Sequence, residues 1–247
     1  NTITQFSSDE SQNPNQRLTK HKGINRFVWN TRYPGADKFD PDLTEQPYEP
    51  LAKSDLFGTG GGGPTAPPGR YNVHLECADI SQSASFEIRK DPRVETTQAE
   101  FDEQFALAQS LTAKLSSVRL SVNRIRRMKN QLRELSNRLP KKRRALATQA
   151  NKIVVRLEAI EGTLVNVHRE TPRDVLRHTA GLDDTLGDLI SVVAIADFAP
   201  TDQAKDVAKQ TVGQVDRQIA KLDKLVDGPI AALNDKIAVA GISTIGV

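Results

Sequence analysis

Positive charge crowded into one short stretch is the strongest source of chemistry in this chain. Residues 117–145 contain eleven Lys or Arg residues and one acid, whereas the segments before and after them carry more acids than bases. Cations at this density attract polyanions and acidic protein surfaces. Ten of these side chains are therefore candidates for contact with a partner: Arg119, Arg124, Arg126, Arg127, Arg133, Arg138, Lys141, Lys142, Arg143 and Arg144.

A solvated or salt-bridged helix surface is the other interpretation of the same charges, and the favoured one. The stretch contains no aromatic side chain on which a nucleic-acid base could stack. If the stretch binds a partner, an acidic protein or anionic lipid headgroups are therefore favoured over nucleic acid.

Other residue types with catalytic or metal-binding chemistry are scattered along the chain. Of the four histidines, only His168 and His178 are expected to approach each other, across a turn, and no third ligand has helical spacing. Asp183, Asp184 and Asp188 are interpreted as ordinary surface acids, and no pair of carboxylates is nominated for glycoside hydrolysis. The run GTGGGGP at residues 58–64 lacks the Lys-Ser/Thr of a phosphate-binding loop and is interpreted as a linker. We predict no catalytic residue, cofactor or metal.

The basic stretch lies on a segment that reads as one very long amphipathic helix, residues 97–139. Its apolar residues recur every three or four positions from Phe101 to Leu139. Thr97 and Glu100 form the pattern of a capping box, and Pro140 prevents simple continuation. A helix of this length cannot be stable alone, so other helices must cover its apolar stripe.

Three further helices are predicted at residues 141–168, 173–197 and 201–240, with a kink at Gly228-Pro229. Because their connections are short, we expect an antiparallel up-down-up-down four-helix bundle over residues 96–247. The apolar C-terminal segment 237–247 is too short to cross a bilayer and is expected to dock on the protein.

The first 95 residues have the composition of a small β region with a long Gly/Pro-rich loop at 34–69. Residues 71–77 alternate between apolar and polar, and residues 83–90 repeat the pattern, which predicts an antiparallel hairpin. Weaker signals predict strands at residues 3–6 and 23–33, the latter with Trp29 buried. Cys77 is interpreted as a small core residue. Asp91, Pro92 and Arg93 are expected to set the angle between sheet and helices.

The order of several sequence blocks resembles the C-terminal region of large bacterial BNR/Asp-box proteins, which are sortilin-like (VPS10-type) β-propeller proteins often labelled glycosyl hydrolases. The blocks are GINRFVWNTRYPGA, APPGRYNVHL, FEIRKDPRV and TTQAEFDEQF. The resemblance implies an Ig-like sandwich followed by a helical tail in an exported protein. The Asp-box itself is missing, and four strands fall short of the roughly seven of such a sandwich.

From these observations we expect an α+β chain with an incomplete Ig-like region followed by helices. Its expected function is that of a non-catalytic interaction or assembly module of a larger exported protein. Its partners would be other subunits or the upstream propeller. The alternative is an accessory fragment of a glycosidase-like propeller enzyme whose active site lies upstream.

Overall fold

The chain folds as an α+β protein that combines a two-stranded antiparallel sheet with a long helical part. The structure is a computed structural model that describes residues 2–9, 17–43, 62–168 and 178–246, without the side chain of Lys141. Its strands are β1, Gly69–Cys77, and β2, Ile80–Ile88. Its helices are α1, Gln98–Arg138; α2, Arg144–Leu164; α3, Leu182–Val193; α4, Asp202–Leu225; and α5, Ala231–Val239.

The predicted long helix is confirmed as α1, which has 41 residues and a length of about 60 Å. At its start the Thr97 side chain accepts a hydrogen bond from the Glu100 backbone N–H, and the Glu100 carboxylate accepts one from the Thr97 N–H at 2.7 Å. At its end Leu139 adopts an extended backbone before Pro140. The helix therefore begins and ends where side-chain chemistry dictates.

Two helices cover one side of α1 in succession, so the predicted up-down-up-down order is wrong. The bonds from α1 to α2 join Arg126 to Glu161 and Ser136 to Asn151, which makes α2 antiparallel to α1. Helix α3 begins where α2 ends and runs on in the same direction. The evidence is the Gln104 side chain near the start of α1, which donates to the carbonyl of Val193 at the end of α3.

A second row of helices covers α1 from another side and runs parallel to it. Lys114 pairs with Asp216 at 2.6 Å, and Arg124 with Asp223 at 3.3 Å. The row continues through a π-helical segment, Val226–Ile230, into α5. Pro229 lies inside this segment, where the wider turn accommodates a residue that has no N–H.

The third predicted helix is shorter than the expected 173–197. Residues 169–177 lie outside the described part of the chain, and α3 begins only after Gly181 and ends at Val193. A Cβ at Gly181 would lie 2.8 Å from the Val165 Cα and 2.9 Å from the Asn166 nitrogen. Gly181 therefore allows the start of α3 to lie directly against the end of α2.

The apolar residues of both rows and of α1 form one continuous core. It includes the fully buried residues Leu111, Ile125, Met128, Leu157, Leu186, Leu222 and Ile230. The C-terminal segment docks as predicted over its described part, because Ile245 is buried and exchanges two backbone hydrogen bonds with the Asn234 side chain. No helix in the described ranges combines the length and apolar character that crossing a membrane requires.

The predicted hairpin is confirmed, with its turn at Ala78-Asp79, and its second strand begins at Ile80 instead of at residue 83. Tyr71 pairs with Phe86 and Cys77 with Ile80 across the strands. Ala78 has a φ of 50°, a left-handed conformation that usually favours glycine or asparagine.

The two other predicted strands are not formed. Residues 3–6 and 23–31 have no strand pairing, and within 23–33 only Arg32 makes a β-bridge, with Thr65. Trp29 is half-buried rather than buried, and Phe6 packs on Phe27 with ring centroids 4.5 Å apart. The β-favouring residues here lack a neighbouring strand in the described chain, and side-chain propensity alone cannot supply one.

Two glycine substitutions test the close junction of α2 and α3. Gly181→Ala should lower the free energy of unfolding by about 1–3 kcal/mol, because its methyl group meets backbone atoms that cannot rotate away. Gly187→Ala, in the same helix with no atom within 4 Å of the added carbon, should raise it by about 0.5–1 kcal/mol. Urea denaturation of both variants measures the difference, and equal effects would contradict the junction.

Candidate functional site

The inner part of the basic stretch lies inside the protein, contrary to the predicted partner contact. Arg126 donates to one oxygen of Glu161 and Lys129 to the other, each at 2.7 Å. All three side chains are at most 5% exposed. Glu161 comes from α2, so these bonds join α1 to α2 within the core. Arg126 is therefore not available on the surface.

A short loop segment, residues 35–43, crosses α1 and covers further cations; we call it the strap. Phe39 lies between two guanidinium groups, 5.6 Å from that of Arg119 and 5.4 Å from that of Arg126. Arg119 also donates to the Asp37 carbonyl at 2.9 Å and is buried. Cation–π contacts at such desolvated positions stabilise the strap on the helix.

Asn123 fixes the middle of the strap through its backbone. Its side-chain oxygen accepts from the Asp40 N–H at 2.9 Å, and its side-chain nitrogen donates to the Lys38 carbonyl at 3.2 Å. The neighbouring Arg127 donates to the Asp40 carboxylate at 3.0 Å. This bond from Arg127, followed by that from the Asp42 N–H, lowers the pKa of Asp40 below its ordinary value.

Other cations of the predicted contact are held by carboxylates on the surface. Arg124 pairs with Asp223, Arg133 with Glu158, and Arg138 with Glu134 within its own helix. Arg143 donates to the Ala240 carbonyl at 3.1 Å and is half-buried. Most of the ten candidate cations therefore have a partner within the protein itself.

Three cations remain exposed where α1 turns into α2: Arg138, Lys142 and Arg144. Among the described residues, no carboxylate lies within ion-pair distance of Lys142 or Arg144. We call this end of the helical part, where exposed cations from neighbouring elements lie close together, the basic end. It also includes Lys236 of α5, whose amino group donates to Gln149 of α2 at 3.0 Å.

The three acids noted in the sequence lie in α3, and His168 and His178 lie between α2 and α3. Asp183 and Asp184 are buried at the start of α3, contrary to the surface position expected. Asp184 accepts from the Gly181 N–H at 3.3 Å. His168 and His178 do approach, with ring centroids 5.9 Å apart. Within the described ranges, no group of three His, Cys, Asp or Glu side chains is placed to hold a metal ion.

A small cleft lies between the N-terminal loop and α1. Its volume is about 200 Å³, and its lining includes Tyr33, Pro34, Gln109, Thr112 and Ser116. None of the residues that line it is charged. The cleft therefore offers neither a metal ligand set nor a pair of catalytic carboxylates.

At the opposite end from the basic cations, the hairpin exposes apolar side chains. Val73, Leu75 and Ile80 are 52%, 55% and 64% exposed, and Cys77, on the same face, is also exposed. We call these four residues the open face. The interpretation of Cys77 as a core residue is therefore wrong for the described chain.

The residues predicted to be structural hold the base of the hairpin. Trp29 packs edge-on against Tyr71 and Phe86, with centroids 6.1 and 6.2 Å away. Asp91 accepts from both the backbone and the guanidinium of Arg93, and Pro92 lies in the turn between them. This turn leads from β2 to the cap of α1.

The buried Glu161 and the strap were missed in the sequence analysis, although a signal was present. Arg119, Arg126 and Lys129 lie next to the apolar stripe of α1 and follow its helical spacing. A stripe broadened by charged residues indicates that a helix is covered on more than one side. Charged residues are rarely buried unless they are paired, so a surface position was expected.

Two glutamate substitutions on α2 separate buried from exposed ion pairs. Glu161→Ala should lower the free energy of unfolding by about 3–5 kcal/mol, because it leaves two buried cations without their carboxylate. Glu158→Ala, which removes the exposed partner of Arg133, should cost less than about 1 kcal/mol. Chemical denaturation measures both values, and a small loss in the Glu161 variant would contradict the buried network.

The pKa of Asp40 reports on the strap. Because its folded pKa is below the ordinary 3.8, its bond to Arg127 stabilises the fold above that pH and is lost as the pH falls through the folded pKa. Arg127→Gln should move the Asp40 titration toward 3.8, and part of the shift should persist through the Asp42 N–H. Carboxyl NMR measures the titration. Arg124→Gln serves as the control and should leave it unchanged.

Comparison with known proteins gives no relative on which to base an assignment: no family model, no curated protein and no solved structure matches this chain.

Proposed function

We propose that this chain is a non-catalytic protein-interaction or assembly module. The observation that carries the proposal is the open face of the hairpin. Isolated exposed apolar residues are normal, but apolar side chains adjacent on one sheet face mark an interaction site. Val73 and Leu75 are two residues apart on β1, and Cys77 pairs with Ile80 across the strands, so these four side chains are neighbours.

The helical part, unlike the hairpin, covers its own apolar side chains. The stripe of α1 is covered from Phe101 to Leu135 by the chain's own helices. The hairpin has a comparable apolar side, but only its base, Tyr71 and Phe86, is in contact with another described aromatic residue, Trp29. A two-stranded sheet is marginally stable in water unless it packs against something.

In this proposal the open face is covered by β-strands that do not belong to this chain, and the completed unit is an Ig-like sandwich. Two packed sheets lie about 10 Å apart with interdigitating apolar faces. The polar side of the hairpin, with His74, Ser81 and Ser83 joined by hydrogen bonds, suits the outer face of such a sandwich. The partner is therefore a protein with an amphipathic strand or sheet.

The resemblance to the C-terminal region of sortilin-like β-propeller proteins extends the proposal. Under it, the chain is part of a larger exported protein, and the covering strands belong to the upstream portion or to another subunit. The helical part then acts as a rigid spacer that carries the hairpin at one end. The ordered sequence blocks that carry the resemblance are the ground for this extension.

Cys77 provides the test, because it is the single cysteine of the chain and belongs to the open face. In the isolated chain it should react with a maleimide at the rate of an exposed thiol. In the full-length precursor or native complex, peptide mass spectrometry should show the same cysteine protected by about tenfold or more, because burial excludes the reagent.

The control is a Cys77→Ser, Ser81→Cys variant, which moves the thiol to the polar face of the same hairpin. This thiol should react in both the isolated chain and the native protein. Rapid labelling of Cys77 in the native protein would contradict the proposal, and so would protection of Cys77 in the isolated chain.

A further inference from the structure

The basic end is a second surface, independent of the open face and separated from it by the length of α1. Arg138 lies in the last turn of α1, while Lys142 and Arg144 follow the chain reversal at Pro140. Arg143, between them, is bonded to the Ala240 carbonyl and so links α5 to the reversal. Cations from α1, from the chain reversal and from the start of α2 therefore lie together at one tip of the helical part.

Positive charge immediately before the first turn of α2 destabilises that helix. Helix α2 has no acidic residue in its first turn, and its N-cap residue makes no side-chain cap. The N-terminus of a helix carries partial positive charge, so neighbouring cations are repelled. The start of α1 differs, because it has a capping side chain, Thr97, and an acid, Glu100, which stabilise the helix. Helix stability therefore does not explain Lys142 and Arg144, whereas Arg138 and Lys236 lie in the last turns of α1 and α5, where a cation is favourable.

The acids at the tip do not neutralise these charges. Glu134 faces Arg138 at 3.5 Å, a loose contact between exposed side chains, and Asp235 lies on α5 beside Lys236. These two acids are outnumbered by the cations of the tip, which are Arg138, Lys142, Arg143, Arg144 and Lys236. The described part of the tip is therefore a positively charged surface.

The remaining chemistry of the tip favours a lipid surface over nucleic acid or a groove-binding ligand. Val239 is 92% exposed and directly precedes Ala240, the residue bonded to Arg143. Residues 130–168 and 221–246 contain no aromatic side chain on which bases could stack. Basic side chains around an exposed aliphatic residue are suited to anionic headgroups, with the aliphatic group at the headgroup boundary.

We propose that the basic end binds an anionic lipid surface end-on. Arg138, Lys142, Arg144 and Lys236 bind headgroup phosphates and carboxylates, and Val239 lies among the headgroups. Binding is peripheral and electrostatic, so it weakens as salt screens the charges. The long axis of α1 then holds the open face away from the membrane, where it is accessible to a protein partner.

Vesicle co-sedimentation of the full chain tests this proposal. The protein should sediment with phosphatidylcholine vesicles that contain phosphatidylserine, release at high salt, and not sediment with phosphatidylcholine alone. An Arg138→Gln, Lys142→Gln, Arg144→Gln variant should bind at least about tenfold more weakly, because each cation near an anionic membrane contributes separately.

The matched control removes the same charge from another surface. A Lys209→Gln, Lys221→Gln, Lys224→Gln variant changes three exposed lysines of α4 and should bind within about twofold of the unmodified chain. Circular dichroism melts should show that both variants remain folded, since all six residues are exposed.

Three results would overturn the proposal: equal loss of binding in the two variants, binding to neutral vesicles, or retention on heparin or DNA without binding to anionic vesicles. The first would assign any binding to net charge, the second to apolar contact, and the third to a polyanion.

Discussion

A helix of 41 residues is stable only if its apolar stripe is covered along its whole length, and the helical part of this protein depends on that constraint. No helix that follows α1 in the described ranges is long enough to do so alone. The chain therefore places α2 and α3 end to end along one side of α1, and α4 with α5 along another. At the first junction, Gly181 permits close contact between α2 and α3. At the second, the π-helical segment between α4 and α5 accommodates Pro229.

Covering α1 from several sides also explains why charged side chains enter the interior. A broad contact surface includes positions beside the apolar stripe, and at three of these the chain has Arg119, Arg126 and Lys129. Glu161 and the strap supply the oxygen atoms and the aromatic face that such buried cations need. The buried cations of α1 are thereby satisfied within the chain, and the protein has an apolar hairpin face near one end of α1 and a basic surface near the other.

The sequence was most informative where local chemistry decides the structure. Thr97, Glu100 and Pro140 mark the ends of α1, and alternation of residue type identified the hairpin. It was less informative where long-range packing decides. Nothing near Arg126 indicates that Glu161 lies opposite, and the period of α3 does not reveal that the helix continues the direction of α2. Residues 23–33 have strand propensity, but pairing requires a neighbour, and only Arg32 has one in the described chain.

The helical part covers its own apolar stripe, whereas the proposed function requires that the hairpin gain a partner, and amide hydrogen exchange on the isolated chain measures this difference most directly. Amides of α1 between Leu111 and Leu135 should exchange only through global unfolding, because the apolar stripe of this segment is buried in the core. Amides of β1 and β2 should exchange much faster, through local opening that leaves the helices intact. Hairpin amides as protected as those of α1 would contradict the account.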